Sequence, residues 1–224
     1  MEQDFLIPYT TIRIGRFLLL LASIVLLFLV RPFLTGFMGV RLVMDIFLTF
    51  MLLSGVYAVS KKRTTLAISL VIAVPALVGK WSNHLLEIKP LAVIANALIL
   101  LFFMYIVVLI LAYLFRERKI TADIIIGGIC VYFLLGVIWG IVFTIQAVFD
   151  PGALRIPGNS QLESPDFLYY SFVTLTTLGY GDMTPVSASA RAFATLEAMT
   201  GQVYLAVLIA RLVGMHISQS MDTH

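Results

Sequence analysis

Residues 164–182 read Ser-Pro-Asp-Phe-Leu-Tyr-Tyr-Ser-Phe-Val-Thr-Leu-Thr-Thr-Leu-Gly-Tyr-Gly-Asp, a helix-start pattern that leads into a glycine-containing end. Ser164 is a suitable N-cap, Pro165 suits the first helical position and Asp166 suits the first turn. The pattern predicts a short helix over 165–176, which is too short to cross a bilayer. A non-spanning segment at membrane depth must be buried in protein or line water, so we expect a re-entrant helix.

The six residues after this helix are expected to form a loop that presents main-chain carbonyl oxygens. Successive carbonyls can face one axis only where the backbone alternates unusual dihedral angles, which Gly179 and Gly181 adopt at low cost. Thr177 adds a hydroxyl at the inner end, whereas Leu178 and Tyr180 are expected to point away and brace the loop. Such a ring of oxygens can replace the hydration shell of a cation, and it requires four chains.

The composition is that of an integral membrane protein. Hydrophobic residues make up 61% of the 224 residues and charged residues 12%, with a mean hydropathy of +1.03, whereas soluble domains carry about 25% charged residues. The net charge of +3 reflects the basic bias of cytoplasmic loops, and we expect no nucleic-acid partner. The single Cys130 excludes a disulfide within the chain and is expected to be a buried thiol.

Six apolar segments predict an all-α protein with six transmembrane helices. They are 14–34, 42–60, 64–81, 90–115, 124–149 and 190–214. The first has a short uncharged centre, and the third is interrupted by Pro75. A longer polar connection, 150–189, precedes the sixth.

Lysine and arginine set the predicted orientation. The densest clusters, 61–63 and 116–119, fall on the same side as the N-terminus, which is therefore cytoplasmic, as is the C-terminus. These clusters either contact anionic lipid headgroups or simply fix the topology. The first apolar run is followed by Arg31 and Pro32, so we expect no cleaved signal peptide. We expect an integral plasma-membrane protein, and the compact chain favours a bacterial inner membrane.

With these motifs in place, residues 120–217 resemble the pore domain of tetrameric potassium channels of the bacterial six-helix type. The resemblance implies a pore domain over 120–224 and a four-helix N-terminal membrane domain over 1–119. Within the pore domain it implies an outer helix 122–149, a pore helix 165–176, a selectivity filter 177–182 and an inner helix 188–217. It also implies a homotetramer embedded in membrane lipid.

The resemblance further implies passive K⁺ conduction, with no cofactor other than K⁺ itself. The ions would be bound by main-chain carbonyls of Thr177, Leu178, Gly179 and Tyr180. Leu178 replaces the more common valine and should leave the carbonyls in place.

The same resemblance assigns supporting roles around the filter. Tyr169 is expected to donate a hydrogen bond to Asp182, and Tyr170 to bond the hydroxyl of Tyr180. Some family members carry a glutamate on the pore helix that pairs with the aspartate after the filter, but this sequence has Val173 there. Filter inactivation that depends on such a pair is therefore not expected.

Glu197 lies inside an apolar helix, where a carboxyl group is costly and usually has a function. At about 100° per residue it faces away from the predicted cavity. We hypothesise that it hydrogen-bonds pore-helix hydroxyls, Ser171 or Thr174, and supports the filter.

Gly201 is either a hinge of the inner helix or a close helix contact. Gln202 either faces the cavity or bonds another helix. The predicted cavity and gate residues are Thr176, Gly201, Gln202, Leu205, Ile209, Val213 and Ile217. A stripe of small residues, Ala206, Ala210 and Gly214, suits helix packing. His216 is either a cytoplasmic pH sensor or an interfacial residue.

The first four helices lack the regular arginines of a voltage sensor, since 90–115 contains no lysine or arginine. We therefore expect weak voltage dependence, and the sequence leaves the gating stimulus open among lipid, pH, tension and a separate regulatory subunit. Few residues follow the inner helix, and we expect no cytoplasmic regulatory domain among them. No catalytic motif is present, so we expect no enzyme. The alternatives are an ion-uptake transporter subunit, disfavoured because such chains carry four imperfect filters, and a subunit that merely co-assembles.

Overall fold

The computed structural model describes residues 15–34, 40–60, 62–86, 88–117, 119–155 and 164–221. Seven helices and two short strands lie within these ranges. In chain order they are α1 (Arg16–Leu34), α2 (Val40–Val59), α3 (Arg63–Leu86), α4 (Lys89–Arg116), α5 (Ala122–Phe149), β1 (Leu154–Arg155), α6 (Ser164–Leu175), β2 (Thr184–Pro185) and α7 (Ala188–Met221).

The described helices confirm the helical membrane-protein class. By length and composition, five of them can cross a membrane: α2, α3, α4, α5 and α7. The apolar part of α1, Phe17–Val30, falls short of that length, so the structure supports five of the six predicted spans. The predicted break of the third segment at Pro75 is absent, because α3 runs through this residue from Arg63 to Leu86. Membrane helices tolerate such prolines where neighbouring groups satisfy the freed backbone.

The helices of residues 120–224 lie close to their predicted bounds. Helix α5 has the predicted ends, and the side chain of Thr121 accepts a hydrogen bond from the main-chain N–H of Ile124 as its N-cap. Helix α6 begins and ends one residue before the predicted 165–176, and α7 continues four residues beyond 217. The side chains of Ser164 and Pro165 lie outside the described residues, as do those of Arg31, Pro32, Lys61 and Arg118.

A two-stranded antiparallel pair corrects the all-α prediction in one detail. Leu154 of β1 pairs with Pro185 of β2, and Arg155 pairs with Thr184. Next to this pair, the N–H of Val186 donates to the carbonyl of Ala153 at 2.8 Å. The pairing joins the segment that follows α5 to the segment that precedes α7. Helix α6 and the loop after it lie between these two strands in the sequence.

Two buried clusters position the site. The larger one is built from α1–α5 together with Met215 of α7, and it includes Phe102, Phe103 and Leu134. The smaller one lies around α6 and includes Phe143, Phe167, Tyr170, Met183 and Ala190. Helix α6 also approaches α5 closely at Gly136, where an added Cβ would lie 2.5 Å from the ring of Phe172. The smaller cluster is the platform on which α6 and its following loop rest.

Candidate functional site

The loop after α6 folds back onto the last turn of that helix. The N–H groups of Leu178 and Gly179 both donate to the carbonyl of Val173, at 3.0 and 3.2 Å. Every described peptide bond is trans, and a trans peptide directs its C=O opposite to its N–H. The carbonyls of Thr177 and Leu178 therefore both point away from Val173. Two successive carbonyls thus face the same side of the loop.

Alternating left-handed backbone angles produce this arrangement. The φ angles are +59° at Thr177, +57° at Gly179 and +80° at Gly181. The two glycines were predicted, because glycine adopts this region without steric cost. Thr177 was missed, since a left-handed threonine is uncommon. The glycines are two residues apart, and the same spacing counted back from Gly179 reaches Thr177. That spacing is the signal that could have indicated a positive φ there.

The side chains of the loop are not packed within one chain. Residues 176–182 are all exposed, and the exposed fractions of the Leu178 and Tyr180 side chains are 55% and 67%. The chain by itself therefore does not form the predicted bracing by Leu178 and Tyr180. Both residues are left facing outward from the subunit.

The predicted hydrogen bond between Tyr169 and Asp182 is confirmed. The Tyr169 hydroxyl donates to Asp182 Oδ2 at 2.7 Å, while Oδ1 accepts the N–H of Met183 at 3.0 Å. The hydrogen bond to Asp182 raises the pKa of Tyr169 above its ordinary value, because the neutral hydroxyl is the donor. The aspartate after the loop is therefore fixed by α6 on one side and by its own backbone on the other.

The predicted hydrogen bond between Tyr170 and the Tyr180 hydroxyl is not formed within one chain. Tyr170 is buried and packs edge-on against Phe143, with ring centroids 4.9 Å apart. Its hydroxyl has no hydrogen-bond partner among the described residues. Tyr170 therefore serves the platform behind the loop. Val173 is buried as well, so its contribution is the carbonyl that receives the loop.

Glu197 contacts the pore-type helix as predicted, and it is 0% exposed. The Ser171 hydroxyl oxygen lies 2.5 Å from Glu197 Oε1 and 2.7 Å from the carbonyl oxygen of Gly136. Thr174 is not a partner, because its hydroxyl donates to the carbonyl of Tyr170 at 2.9 Å. Ser171 thus links α7, α6 and α5 at one point.

Gly201 is buried where α7 crosses the end of α6. A Cβ added there would collide with the carbonyl oxygen of Leu175, and α7 is one helix from Ala188 to Met221. Of the two predicted alternatives, these observations favour a close helix contact over a hinge. Next to it, Gln202 Nε2 donates to the Thr177 hydroxyl oxygen at 3.3 Å, which places the amide at the inner end of the loop.

The predicted cavity stripe forms a largely exposed face on α7. Ile209, Val213 and Ile217 are more than half exposed, and Leu205 is partly buried. Thr176 is exposed, and its hydroxyl donates to the carbonyl of Phe172 at 2.6 Å. The small residues Ala206, Ala210 and Gly214 are exposed, so the predicted helix packing along this stripe is not made within one chain. His216 is exposed as well.

Arg211 was not among the predicted site residues. Its Nη2 donates to the carbonyls of Leu114 and Glu117 at 2.6 and 3.0 Å, and its guanidinium lies 4.8 Å from the ring centroid of Phe115. These carbonyls end α4, where no intrahelical donor is available. A lone arginine inside an apolar helix is as costly as Glu197, and that cost is the signal that could have identified it.

Comparison with known proteins adds a family. Residues 120–217, which run from the start of α5 to near the end of α7, match the model of a family described as "Ion channel". The segment is therefore similar to this family, in agreement with the resemblance that its sequence motifs indicate. Residues 1–119 lie outside the match.

Two curated relatives are similar over a shorter stretch. Protein LctB of Geobacillus stearothermophilus is 41% identical over 66 residues, which cover 30% of this chain and 48% of the relative. Protein LctB of Bacillus caldotenax is 37% identical over 68 residues, covering 30% and 50%. The chain therefore spans about half the length of the curated relatives it matches. No solved structure matches the chain.

Proposed function

We propose that this chain, whose residues 120–217 match the ion channel family, is one subunit of a tetrameric channel that conducts K⁺ selectively and passively across a membrane. The observation that carries the proposal is the loop after α6. Left-handed angles alternate at Thr177, Gly179 and Gly181, and two successive carbonyls turn away from Val173. A backbone of this kind offers a column of oxygens to a dehydrated cation.

The surroundings of the loop favour a cation over an anion. The C-terminal end of α6, which carries partial negative charge, lies at the inner end of the loop. The Thr177 hydroxyl and the Gln202 amide add polar groups below it. We assign K⁺ binding to the main-chain carbonyls of Thr177, Leu178, Gly179 and Tyr180. In this proposal K⁺ is the transported species, and the protein performs no covalent chemistry.

The exposed surfaces support a fourfold homotetramer with a re-entrant pore helix. One loop supplies one quarter of a carbonyl ring. Leu178 and Tyr180 are exposed, and neighbouring subunits would cover them. The apolar stripe on α7 that includes Ile209, Val213 and Ile217 is exposed as well. In the proposed tetramer this stripe would line the shared cavity and gate.

The remaining assignments follow from charge. We propose a plasma membrane location, surrounding lipids as partners, and both termini in the cytoplasm, on the side of the basic clusters. Residues 1–119 would form a four-helix domain without gating charges, because α4 carries basic residues only at its ends, Lys89 and Arg116. Conduction should therefore depend little on voltage.

The proposal is tested by flux through the purified chain in liposomes. We expect K⁺ uptake that Ba²⁺ blocks and that greatly exceeds Na⁺ uptake. Gly179→Ala should abolish it, because Gly179 has a φ of +57°. Gly152→Ala is the matched control, since the nearest atom to its Cβ lies 3.9 Å away and its φ is ordinary. Equal K⁺ and Na⁺ flux would refute selectivity, and no flux would favour a co-assembling subunit.

A further inference from the structure

We propose that Glu197 is an uncharged carboxylic acid whose O–H donates to Ser171, which donates in turn to Gly136, so that two hydrogen bonds in series join α7, α6 and α5 behind the filter. Glu197 would then be a positioning residue that acts on the loop through α6. The effect on conduction rests on the proposed channel function. The presence of the proton does not, because it follows from the contacts among three oxygen atoms.

The count of hydrogens requires this proton. Ser171 Oγ lies 2.7 Å from the carbonyl oxygen of Gly136 and 2.5 Å from Glu197 Oε1. Two oxygens at such distances repel unless a hydrogen lies between them, so the two contacts need two hydrogens. The serine hydroxyl supplies one and the carbonyl of Gly136 supplies none. The second hydrogen therefore belongs to Glu197, and Ser171 donates onward to Gly136.

The burial of the group favours the same protonation state. Glu197 is 0% exposed, and its second oxygen, Oε2, has no hydrogen-bond partner among the described residues. No lysine, arginine or histidine among those residues forms an ion pair with it; the ion pair found there joins Lys80 to Asp45. An ionised carboxylate without a counter-charge or full hydrogen bonding is strongly unfavourable in such a place. The neutral acid avoids that cost.

The position of Ser171 on α6 connects the proton on Glu197 to the loop. Ser171 lies on α6 two residues before Val173, whose carbonyl receives the N–H groups of Leu178 and Gly179. Anchoring Ser171 to both α5 and α7 fixes the rotation and depth of α6. The end of α6 in turn fixes the loop. The hydrogen bond of Glu197 is with Ser171, so its effect on the loop would pass through α6.

Infrared spectroscopy tests the proton without any ion flux. The purified protein at neutral pH should show the C=O stretching band of a protonated carboxyl group, and Glu197→Gln should abolish it. Ser171→Ala should shift the band, because it removes the acceptor. Glu117→Gln, which alters an exposed carboxyl group, should leave it unchanged. Absence of the band in the wild type, or its persistence in Glu197→Gln, would overturn the proposal.

Flux through liposomes tests the positioning role separately. Glu197→Gln should retain K⁺ flux within about twofold, since an amide N–H can replace the acid O–H as donor to Ser171. Glu197→Ala should lower it by roughly tenfold, the scale of one buried hydrogen bond. Loss of flux in Glu197→Gln would show that a negative charge is needed. Undiminished flux in Glu197→Ala would refute positioning. If Glu197→Ala does not assemble, Ser171→Ala provides the same comparison.

Discussion

Arg211 Nη2 donates to the main-chain oxygen of Leu114 at 2.6 Å, and this contact ties α7 to the end of α4. The same guanidinium also reaches the carbonyl of Glu117 at 3.0 Å. It thereby satisfies carbonyls that the end of a helix leaves without donors. Through this side chain, the end of α4 contacts the helix proposed to line the cavity.

Arg211→Ala should destabilise the protein by about 2 kcal/mol, because charge-assisted hydrogen bonds to the α4 carbonyls are lost. Arg211→Lys should recover only part of this, since an ammonium lacks the planar array of donors. Thermal unfolding in detergent is the measurement. The control is Lys119→Ala, an exposed cation close in sequence to the end of α4. Equal unfolding temperatures for Arg211→Ala and Lys119→Ala would contradict the prediction.

Gly201→Ala should disturb the end of α6, because the new Cβ would collide with the carbonyl of Leu175. Overpacking of this kind costs about 1–3 kcal/mol. We expect a lower unfolding temperature together with reduced K⁺ over Na⁺ discrimination in liposome flux. Gly152→Ala should change neither property. A Gly201→Ala protein with wild-type stability would show that α7 shifts freely and would revive the hinge alternative.

Tyr169→Phe should weaken the support of the loop, because it removes the 2.7 Å hydrogen bond to Asp182. We expect the K⁺ current of the variant to decay faster during sustained conduction, as recorded in planar bilayers. The site is close to solvent, so the effect on overall stability should be small. A decay rate equal to that of the wild type would contradict the supporting role.

The same hydrogen bond predicts a dependence on alkaline pH. It raises the pKa of Tyr169 in the folded protein, so its stabilisation is fully present below the ordinary tyrosine pKa near 10 and is lost as pH rises through the elevated value. The difference in unfolding temperature between wild type and Tyr169→Phe should therefore be constant from neutral pH to about 9 and shrink at higher pH. A difference that grows with pH would have the wrong sign.

Conductance should vary little with membrane voltage, because the interior of α4 contains no lysine or arginine. Steep gating needs several charges per subunit to cross the field. Neutralising the two terminal basic residues, Lys89→Ala and Arg116→Ala, should not change the slope of the conductance–voltage relation. A slope that requires several gating charges per subunit would refute this prediction.

Much of the site could be predicted because its geometry is local. Gly179 and Gly181 indicate left-handed backbone, and the structure has it at both. The hydrogen bond between Tyr169 and Asp182 was predicted from the resemblance to the channel family, and the structure contains it. Thr177 was missed because its side chain gives no local sign of a positive φ. Its geometry is imposed by hydrogen bonds from the following residues to Val173.

Contacts between distant helices were harder to predict. The direction of Glu197 followed from helical periodicity, but the choice of Ser171 over Thr174 depends on how α6 is rotated against α5. Tyr170 packs against Phe143 in the smaller buried cluster, and that contact depends on how α6 is placed against α5. The length of α3 was underestimated because the apolar run ends near Trp81, whereas the helix continues through polar residues to Leu86.

By itself the sequence determined the membrane setting, the short helix and the glycine-dependent loop, because composition and local backbone restrictions act over a few residues. The tertiary structure alone decided that Gly201 touches Leu175, that Arg211 closes α4 and that Ser171 stands between Glu197 and Gly136. These contacts depend on the rotation and depth of packed helices. Many sequence positions set those quantities together, and no single residue type encodes them.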